Sequence, residues 1–247
     1  MEKAKIQILE YFKGLEFEEV QHKYIFNSKP IKISVSGLIK NYYKPFDSYS
    51  ISLRIAERDG ISQKEVLRGW DDEATKGINK GNKAHLFGEI YPFNRNLEPK
   101  DKYEEAIVKF WNDLPDTIVP VIMELRMFHK EFMFAGTADI LLYNTVTGMF
   151  IIGDYKTNKD LFKNFKEQKM LGPFNNMLDC AFNKYQLQLS YYQILFEQTG
   201  LKVSSRKLIW LLPDGTYKMY NMDDYTEVLK QELKNKKENT EMLKLNK

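Results

Sequence analysis

The segment GTADILLYNTVTGMFIIGDYKT, from Gly136 to Thr157, constrains this chain more than any other. Two runs rich in β-branched and aromatic residues, TADILLY and MFIIGDY, flank the polar turn NTVTG, which is the pattern of a β-hairpin. With the loop centred between Val146 and Thr147, Tyr143 faces Phe150, Leu141 faces Ile152 and Asp139 faces Asp154. Opposed residues in a sheet have Cβ atoms about 4.5–5.5 Å apart, where like charges destabilise the pair unless something offsets them. A divalent cation would do so. Lys156, two residues beyond Asp154, shares its face by the strand period of two. The pattern Asp…Asp-x-Lys therefore describes a hard-metal site with an ammonium beside it, able to hold a phosphate or a water. A lone D-x-K tripeptide also fits an ordinary hairpin with scattered surface charges; the register of the two acids is what gives it weight here.

Composition bounds what such a hairpin can belong to. At 247 residues and 43% hydrophobic content, the chain can bury a substantial core. The expectation is a single domain over 1–247, with an N-terminal hairpin and helical region (1–69), a catalytic core (70–222) and a C-terminal helix and tail (223–247). A formal net charge of +3 permits an anionic partner without requiring one. The one cysteine, Cys180, excludes a disulfide framework, a cysteine-based zinc site and an iron–sulfur cluster built from this chain alone. No apolar run approaches the roughly 18 residues of a membrane span, and MEKAKIQILEYFKG has no signal-peptide pattern. A cytoplasmic protein with no membrane partner is expected.

Along the chain, periodicity predicts a short amphipathic helix over residues 3–13. Strand character follows from Phe17 to Ser36 in FEEV, HKYIF and IKISVS, broken by the turn NSKP. Residues 46–68 are helical in pattern, with Ser62 as an N-cap and Glu65 three residues on. Trp70 to Tyr91 reads as a separate helix. Its Gly77, Gly81 and Gly88 would each cost about 1 kcal/mol relative to Ala, so a packing or close-approach reason is expected there. Gly81, His85 and Glu89 share one face, which a neighbouring backbone or a nucleic-acid strand could approach. Another helix is expected over Asp101–Asp113, then the strands IVPVIMELRMF and EFMFAG, with an edge or bulge at Pro120. Of the two acids on them, Glu124 and Glu131, Glu124 is the better placed to approach the site. The run TNKDLFKNFKEQKM is rich in lysine, and Lys159, Lys163 and Lys166 suit contact with phosphates, though a solvated surface would look the same. A loop around Gly172-Pro173 leads to a helix from Tyr185 to Thr199, on which Gln188 and Tyr192 are neighbours. A last hairpin, VSSRKLIWLL and TYKMYNM about PDG, precedes a charged helix from Tyr225 to Glu241 that is expected to fray into MLKLNK. The fold class is α/β in the broad α+β sense, with a mixed central sheet flanked by helices.

Taken together, G-x-x-x-H-x-x-x-E (Gly81, His85, Glu89), G-x-x-D (Gly136 to Asp139), D-x-K (Asp154 to Lys156) and Q-x-x-x-Y (Gln188 to Tyr192) resemble the motifs of the RecB-like exonucleases of the PD-(D/E)XK superfamily. The phage-encoded and mitochondrial genome-maintenance members are the most similar, and HKYIFNSKPIKISVSGLI resembles the opening hairpin of the phage members. The resemblance implies a restriction-endonuclease-like core and phosphodiester hydrolysis dependent on Mg²⁺ or Mn²⁺. Asp139 and Asp154 would bind the metal, with the Tyr155 carbonyl and His85 completing its ligands. Lys156 would orient water or stabilise charge on the phosphoryl group, Gln188 and Tyr192 would position the strand, and Glu89 and Glu124 would stand behind the ligands. Tyr192 could instead simply pack its helix. Some relatives carry an iron–sulfur cluster held by four cysteines; Cys180 alone cannot supply one. The implied partner is DNA, as a single strand or a duplex end, with a single-strand-binding or recombination protein as a possible companion. A structure-specific endonuclease and a catalytically silent nucleic-acid-binding or assembly protein are the competing readings.

Overall fold

The computed structural model of this chain describes residues 1–18, 21 and 23–245. Its architecture is α+β, a mixed central sheet with helices packed on it and a small antiparallel sheet near the N-terminus. α1 (Glu2–Tyr11) leads into that small sheet, formed by β1 (Leu15–Glu18), β2 (Lys23–Phe26) and β3 (Lys29–Pro30) in the order β1-β2-β3. Glu19, Val20 and His22, which the sequence assigns to strands, lie outside the described residues, as do Asn246 and Lys247. β4 (Ile33–Ser34) then joins the central sheet, and Ser34 caps α2 (Val35–Ile39) by accepting the Gly37 amide at 3.1 Å.

The helical region departs from expectation in one respect. After α3 (Ser48–Asp59), α4 runs unbroken from Gln63 to Ile90, merging the two helices that the sequence separates near Arg68. It starts at the expected capping box: Ser62 Oγ accepts the Glu65 amide at 3.2 Å, and Glu65 Oε2 accepts the Ser62 amide at 2.9 Å. Gly69 at the junction is too small a penalty, about 1 kcal/mol, to stop a helix already propagating through good formers on either side. α5 (Lys102–Asp113) follows, capped by Asp101, whose Oδ1 accepts the amides of Tyr103 and Glu104.

The rest of the central sheet comprises β5 (Ile118–Phe128), β6 (Phe134–Asn144), β7 (Met149–Lys156), β8 (Val203–Leu211) and β9 (Tyr217–Met222). Its order is β4-β6-β7-β8-β9, with β5 also on β6; β7 pairs with β8 and β4 with β6 in parallel, the others antiparallel. EFMFAG is not a strand of its own. His129 to Met133 form a turn, closed by the Met133 amide on the His129 carbonyl at 2.9 Å, and β6 runs on from Phe134. The expected register holds, with Leu141 opposite Ile152 and Tyr143 opposite Phe150. Asn144 Oδ1 fixes the connecting turn by accepting the amides of Val146 and Thr147, and Gly148 supplies the left-handed residue at φ 70°. The ladder slips beside Pro120, which has no amide hydrogen to offer it.

α6 (Ala181–Glu197) begins before the expected Tyr185 and carries the crossover between the parallel strands β7 and β8, while α7 (Thr226–Leu245) continues past Glu241 where fraying is expected. Two cores result. Ile8, Val35, Leu141, Ile152, Leu189, Phe196 and Leu229 fill one, and Ala84, Ile107, Phe110, Ile140, Ile151 and Ile209 fill the other. Among the described residues, no helix is long and apolar enough to cross a membrane.

The glycines of α4 divide sharply. A Cβ on Gly88 would lie 2.6 Å from the buried Tyr155 ring, whereas one on Gly77 would meet nothing within 4 Å, and one on Gly81 only Thr157 Oγ1 at 3.8 Å. The close approach is therefore by an aromatic side chain at Gly88, not by a backbone along the whole face. Since Trp111 Nε1 donates to Tyr155 Oη at 2.7 Å, the ring cannot simply swing away. Gly88→Ala is expected to cost about 1–3 kcal/mol by overpacking, and Gly77→Ala to gain about 0.5–1 kcal/mol. Urea unfolding of both variants checks the sign difference.

The β5–β6 turn carries a titratable lock. His129 Nδ1 accepts the amides of Glu131 at 3.3 Å and Phe132 at 3.2 Å, which only an imidazole unprotonated at that nitrogen can do. Burial pushes its pKa from 6.5 down to about 4, with Glu131 opposing. Above the unfolded pKa both states are neutral and the full stability is present. As pH falls through 6.5 towards 4, the unfolded chain takes up a proton that the folded ring refuses, and stability is lost. His129→Gln is expected to flatten the stability profile over that window, measured by urea midpoints across pH.

Candidate metal centre

The site forms where the sheet forks. β7 pairs with β6 only as far as Ile140 opposite Gly153, and β4 takes up pairing with β6 at Phe134 and Ala135, on the edge opposite β5. Asp139 and Asp154 sit one position beyond the last β6–β7 pair. Asp139 Oδ2 accepts the Tyr155 amide at 2.8 Å, so a side chain continues the link between strands just where the ladder stops. On the other side of β6, Glu124 of β5 falls level with Asp139, between the pairs Met123–Ile140 and Leu125–Ala138. Three acids thus lie abreast on β5, β6 and β7.

Glu124 is held in the left-handed region at φ 52°, unusual for a non-glycine residue within a strand. The faces change over at this level. Met123 and Ile140 belong to the core with Phe110, whereas Leu125 and Ala138, two positions along each strand, belong to the core with Phe196. On a regular strand those residues would share a face. Strain of this kind costs of order 1–3 kcal/mol and persists only where the surroundings impose it.

α4 brings His85 over the fork. Its Nδ1 lies 3.3 Å from Asp139 Oδ2 and 3.6 Å from Glu124 Oε1, and its ring meets Tyr155 edge-on at 6.1 Å. Burial disfavours the charged ring, but Asp139 and the contacts to both carboxylates overcome this and raise its pKa from 6.5 to about 10, with Lys156 opposing. Asp139, although buried, is held below the usual carboxylate value by His85, Lys156 and the Tyr155 amide. Asp154 is pushed up by its burial and by Asp139, against the pull of Lys156. The Lys156 ammonium contacts Asp154 Oδ2 and lies 4.6 Å from the centre of the Tyr185 ring. Despite its burial, the two carboxylates raise its pKa.

These residues fit a divalent cation. One ligand atom each from His85, Glu124 and Asp139 lie within 4.8 Å of one another, somewhat wider than the spread imposed by an octahedral ion with bonds of about 2.1 Å. Asp154 is 1% exposed, and among the described residues the Lys156 ammonium at Oδ2 is its one charged contact, so Oδ1 is left without a hydrogen-bond partner. Two neighbouring buried carboxylates are costly, and Lys156 and His85 offset that charge with room for a further cation beside Asp139 and Glu124. Carboxylates with one imidazole suit Mg²⁺ or Mn²⁺, the nitrogen favouring Mn²⁺.

The other sequence candidates are placed unevenly. Glu89 is exposed on α4, and the acids that contact His85 are Asp139 and Glu124 instead. Glu124, assigned a supporting place, contacts His85 directly and belongs with His85 and Asp139 to the group whose ligand atoms lie close together. Of Tyr155, it is the amide that contacts Asp139, and the ring is buried beneath α4. Gln188 Nε2 donates to Tyr192 Oη at 2.6 Å, and Tyr192 packs α6 on Gly136, where a Cβ would lie 2.8 Å from its ring. Lys159, Lys163 and Lys166 are exposed on the irregular segment after β7, Lys159 lying 3.5 Å from Glu73. Sequence reasoning missed Tyr24, whose hydroxyl meets Thr137 Oγ1 at 2.8 Å from the small N-terminal sheet, and Tyr185 beneath Lys156. Nothing local marks either, because both come to the site through tertiary packing.

No family model matches the chain, and no curated protein matches it. Among solved structures, one described as "Crystal structure of SSO0001" aligns over 97% of this chain and 83% of its own, at 16% identity and a TM-score of 0.38. At that distance the similarity assigns no activity.

Glu124→Gly separates strain from ligation. Glycine accepts φ 52° freely, and this relief opposes the lost His85 contact and the greater freedom of the unfolded chain, so the metal-free variant is expected to lie within about 1 kcal/mol of the parent. The rise in melting temperature that Mn²⁺ gives the parent through ligand linkage is expected to shrink. Thermal melts in EDTA and across a Mn²⁺ titration measure both; a lower metal-free melting temperature with an unchanged Mn²⁺ response contradicts this assignment.

Proposed function

We propose that this protein is a Mg²⁺- or Mn²⁺-dependent nuclease with a restriction-endonuclease-like core, a RecB-like exonuclease of the PD-(D/E)XK superfamily that acts on DNA from free ends. The observation that carries this reading is the row Glu124, Asp139 and Asp154 at the fork, with His85 on Asp139 and Lys156 on Asp154. A fold with no chemistry to do gains nothing by gathering carboxylates where an anionic backbone must approach, since each repels it and the buried ones cost desolvation.

Glu124, Asp139 and His85 would hold the cation, with Asp154 beside them on β7 and engaged through Oδ2 by Lys156. When bound, the cation supplies a polarised phosphate and a water of lowered pKa. Lys156 stays charged between Asp154 and the open side of the fork, where it can orient the attacking water or neutralise charge growing on the phosphoryl oxygens. The Tyr155 amide fixes the Asp139 carboxylate, leaving its second oxygen free to face the ion. Tyr192 and Gln188, joined to each other, keep α6 seated on Gly136 behind the acids. Recombination, repair or degradation of DNA is the setting that such an activity suits.

End-labelled linear DNA and covalently closed circles, each incubated with and without Mg²⁺, test the proposal. Linear DNA is expected to be degraded to short products with little sequence preference, EDTA to abolish this, and circles to survive. Asp139→Asn and Asp154→Asn should each lower turnover by several orders of magnitude, as expected when a charge that holds a catalytic metal is removed, while remaining folded by circular dichroism. Parental turnover in either variant would falsify the site, and rapid cutting of circles would leave the residues in place but make the enzyme an endonuclease.

A further inference from the structure

The segment that follows the fork alternates exposed rings with exposed ammonium groups. In Phe162-Lys163-Asn164-Phe165-Lys166, Phe162 is 48% and Phe165 63% exposed, both lysines are exposed, and Lys159 stands a few residues upstream. The segment is shaped from within. Asp160 Oδ1 accepts the amides of Phe162 at 2.8 Å and Lys163 at 3.1 Å, and Asn164 Nδ2 donates to the carbonyls of Gln168 and Asp179. Phe162 rests on a bed of rings, 5.0 Å from Phe182, 5.8 Å from Tyr220 and 6.4 Å from Trp210 between centres.

That bed is continuous with the candidate metal centre. Trp210 pairs with Lys156 across β7 and β8, and its Nε1 donates to the Asn158 carbonyl at 2.7 Å. Tyr185, beneath the Lys156 ammonium, donates to Asn158 Oδ1 at 3.0 Å. A ligand reaching the fork past Trp210 therefore finds Phe162 along one way in, with the exposed Phe165 ring three residues further on.

We propose that this segment is a base-stacking platform for an unpaired nucleic-acid strand, with Phe165 and Phe162 meeting base faces and Lys159, Lys163 and Lys166 meeting phosphates. This rests on the nuclease reading and adds to it the form of the substrate. Lysines alone would suit duplex and single strand alike, because phosphates are common to both. Exposed rings discriminate: base faces are covered by their neighbours within a duplex and free in a single strand, where each stacked base contributes about 1–3 kcal/mol without regard to sequence. The cations beside the rings favour a polyanion over an apolar protein surface as the occupant.

Binding is measured by fluorescence anisotropy in EDTA, so that no cleavage intervenes, with three labelled probes of equal length: a thymidine strand, an abasic strand and a blunt hairpin duplex. The thymidine strand is expected to bind tightest. Phe165→Ala, which removes a ring with little packing behind it, should weaken thymidine binding by about 5- to 150-fold and leave abasic binding, its salt slope and the melting temperature unchanged. Phe165→Trp should restore affinity. Substituting Lys159, Lys163 and Lys166 together by Gln should instead flatten the salt dependence on thymidine and abasic strands alike. Equal affinity for thymidine and abasic strands, or parental binding by Phe165→Ala, overturns the platform, as does preferential binding of the duplex. Cleavage of short DNA in Mg²⁺ is scored separately. Its persistence alongside failed stacking overturns this inference alone, while base-dependent binding without cleavage by the parent overturns the nuclease reading and leaves the platform standing.

Discussion

The Asp139 carboxylate accepting the Tyr155 amide is the contact on which the centre of this molecule depends. A sheet that forks leaves backbone groups without ladder partners, and such groups must find others when buried. Here a charged side chain serves, at the cost of bringing an anion into the interior close to a second one on Asp154. The imidazole of His85 and the ammonium of Lys156 then offset that charge, and each comes from an element whose position follows from the need. α4 must lie close enough for His85 to reach, which requires Gly88 against Tyr155. β7 must end with its last side chain facing inward, and Lys156 does so over Tyr185.

The same contact explains why strain is tolerated beside it. Glu124 is turned out of the regular strand conformation at the level where Asp139 lies, and the two cores exchange partners there. A strand that kept its alternation would satisfy local preference but carry the Glu124 carboxylate elsewhere. The exchange brings three acids abreast, which neighbouring hydrogen bonds alone would not favour, since like charges on adjacent strands repel. Local geometry and global pattern conflict at this one level, and conflicts of this kind concentrate where a protein does its chemistry.

Much of this was legible in residues that obey local rules. The hairpin register could be read from NTVTG because Asn144 and Gly148 specify a turn, and the register placed Asp139 beside Asp154. The capping box at Ser62 and Glu65 and the bulge at Pro120 were legible for the same reason: each is a short-range hydrogen-bond requirement written in one or two side chains. What was misread depended on tertiary context. α4 continued through Gly69 because a weak local penalty does not end a long helix. Helical spacing sets Glu89 one turn from His85, yet spacing does not say which face meets the sheet, and Glu89 is exposed. The approach of Glu124 from the adjacent strand was legible, but its turn out of strand geometry was not, because no sequence rule signals a left-handed residue within a strand. Tyr24 and Tyr185 left no mark at all, being brought in by elements distant along the chain.

The parallel pairs on either side of the fork also set when it can exist. β4 meets β6 through residues 33–34 and 134–135, and β7 meets β8 only after the whole of α6 has intervened. Closing such loops costs chain entropy before any pairing repays it, so contacts of this kind form late. During synthesis, the β5–β6–β7 meander can assemble as soon as residue 156 is available, but it then holds Asp139 and Asp154 at an open edge with neither α6 nor β8 to exclude water. The carboxylates remain hydrated, and therefore inexpensive, until the last strands arrive. Their desolvation is therefore tied to the arrival of α6 and β8, the elements that bring the core able to bear it.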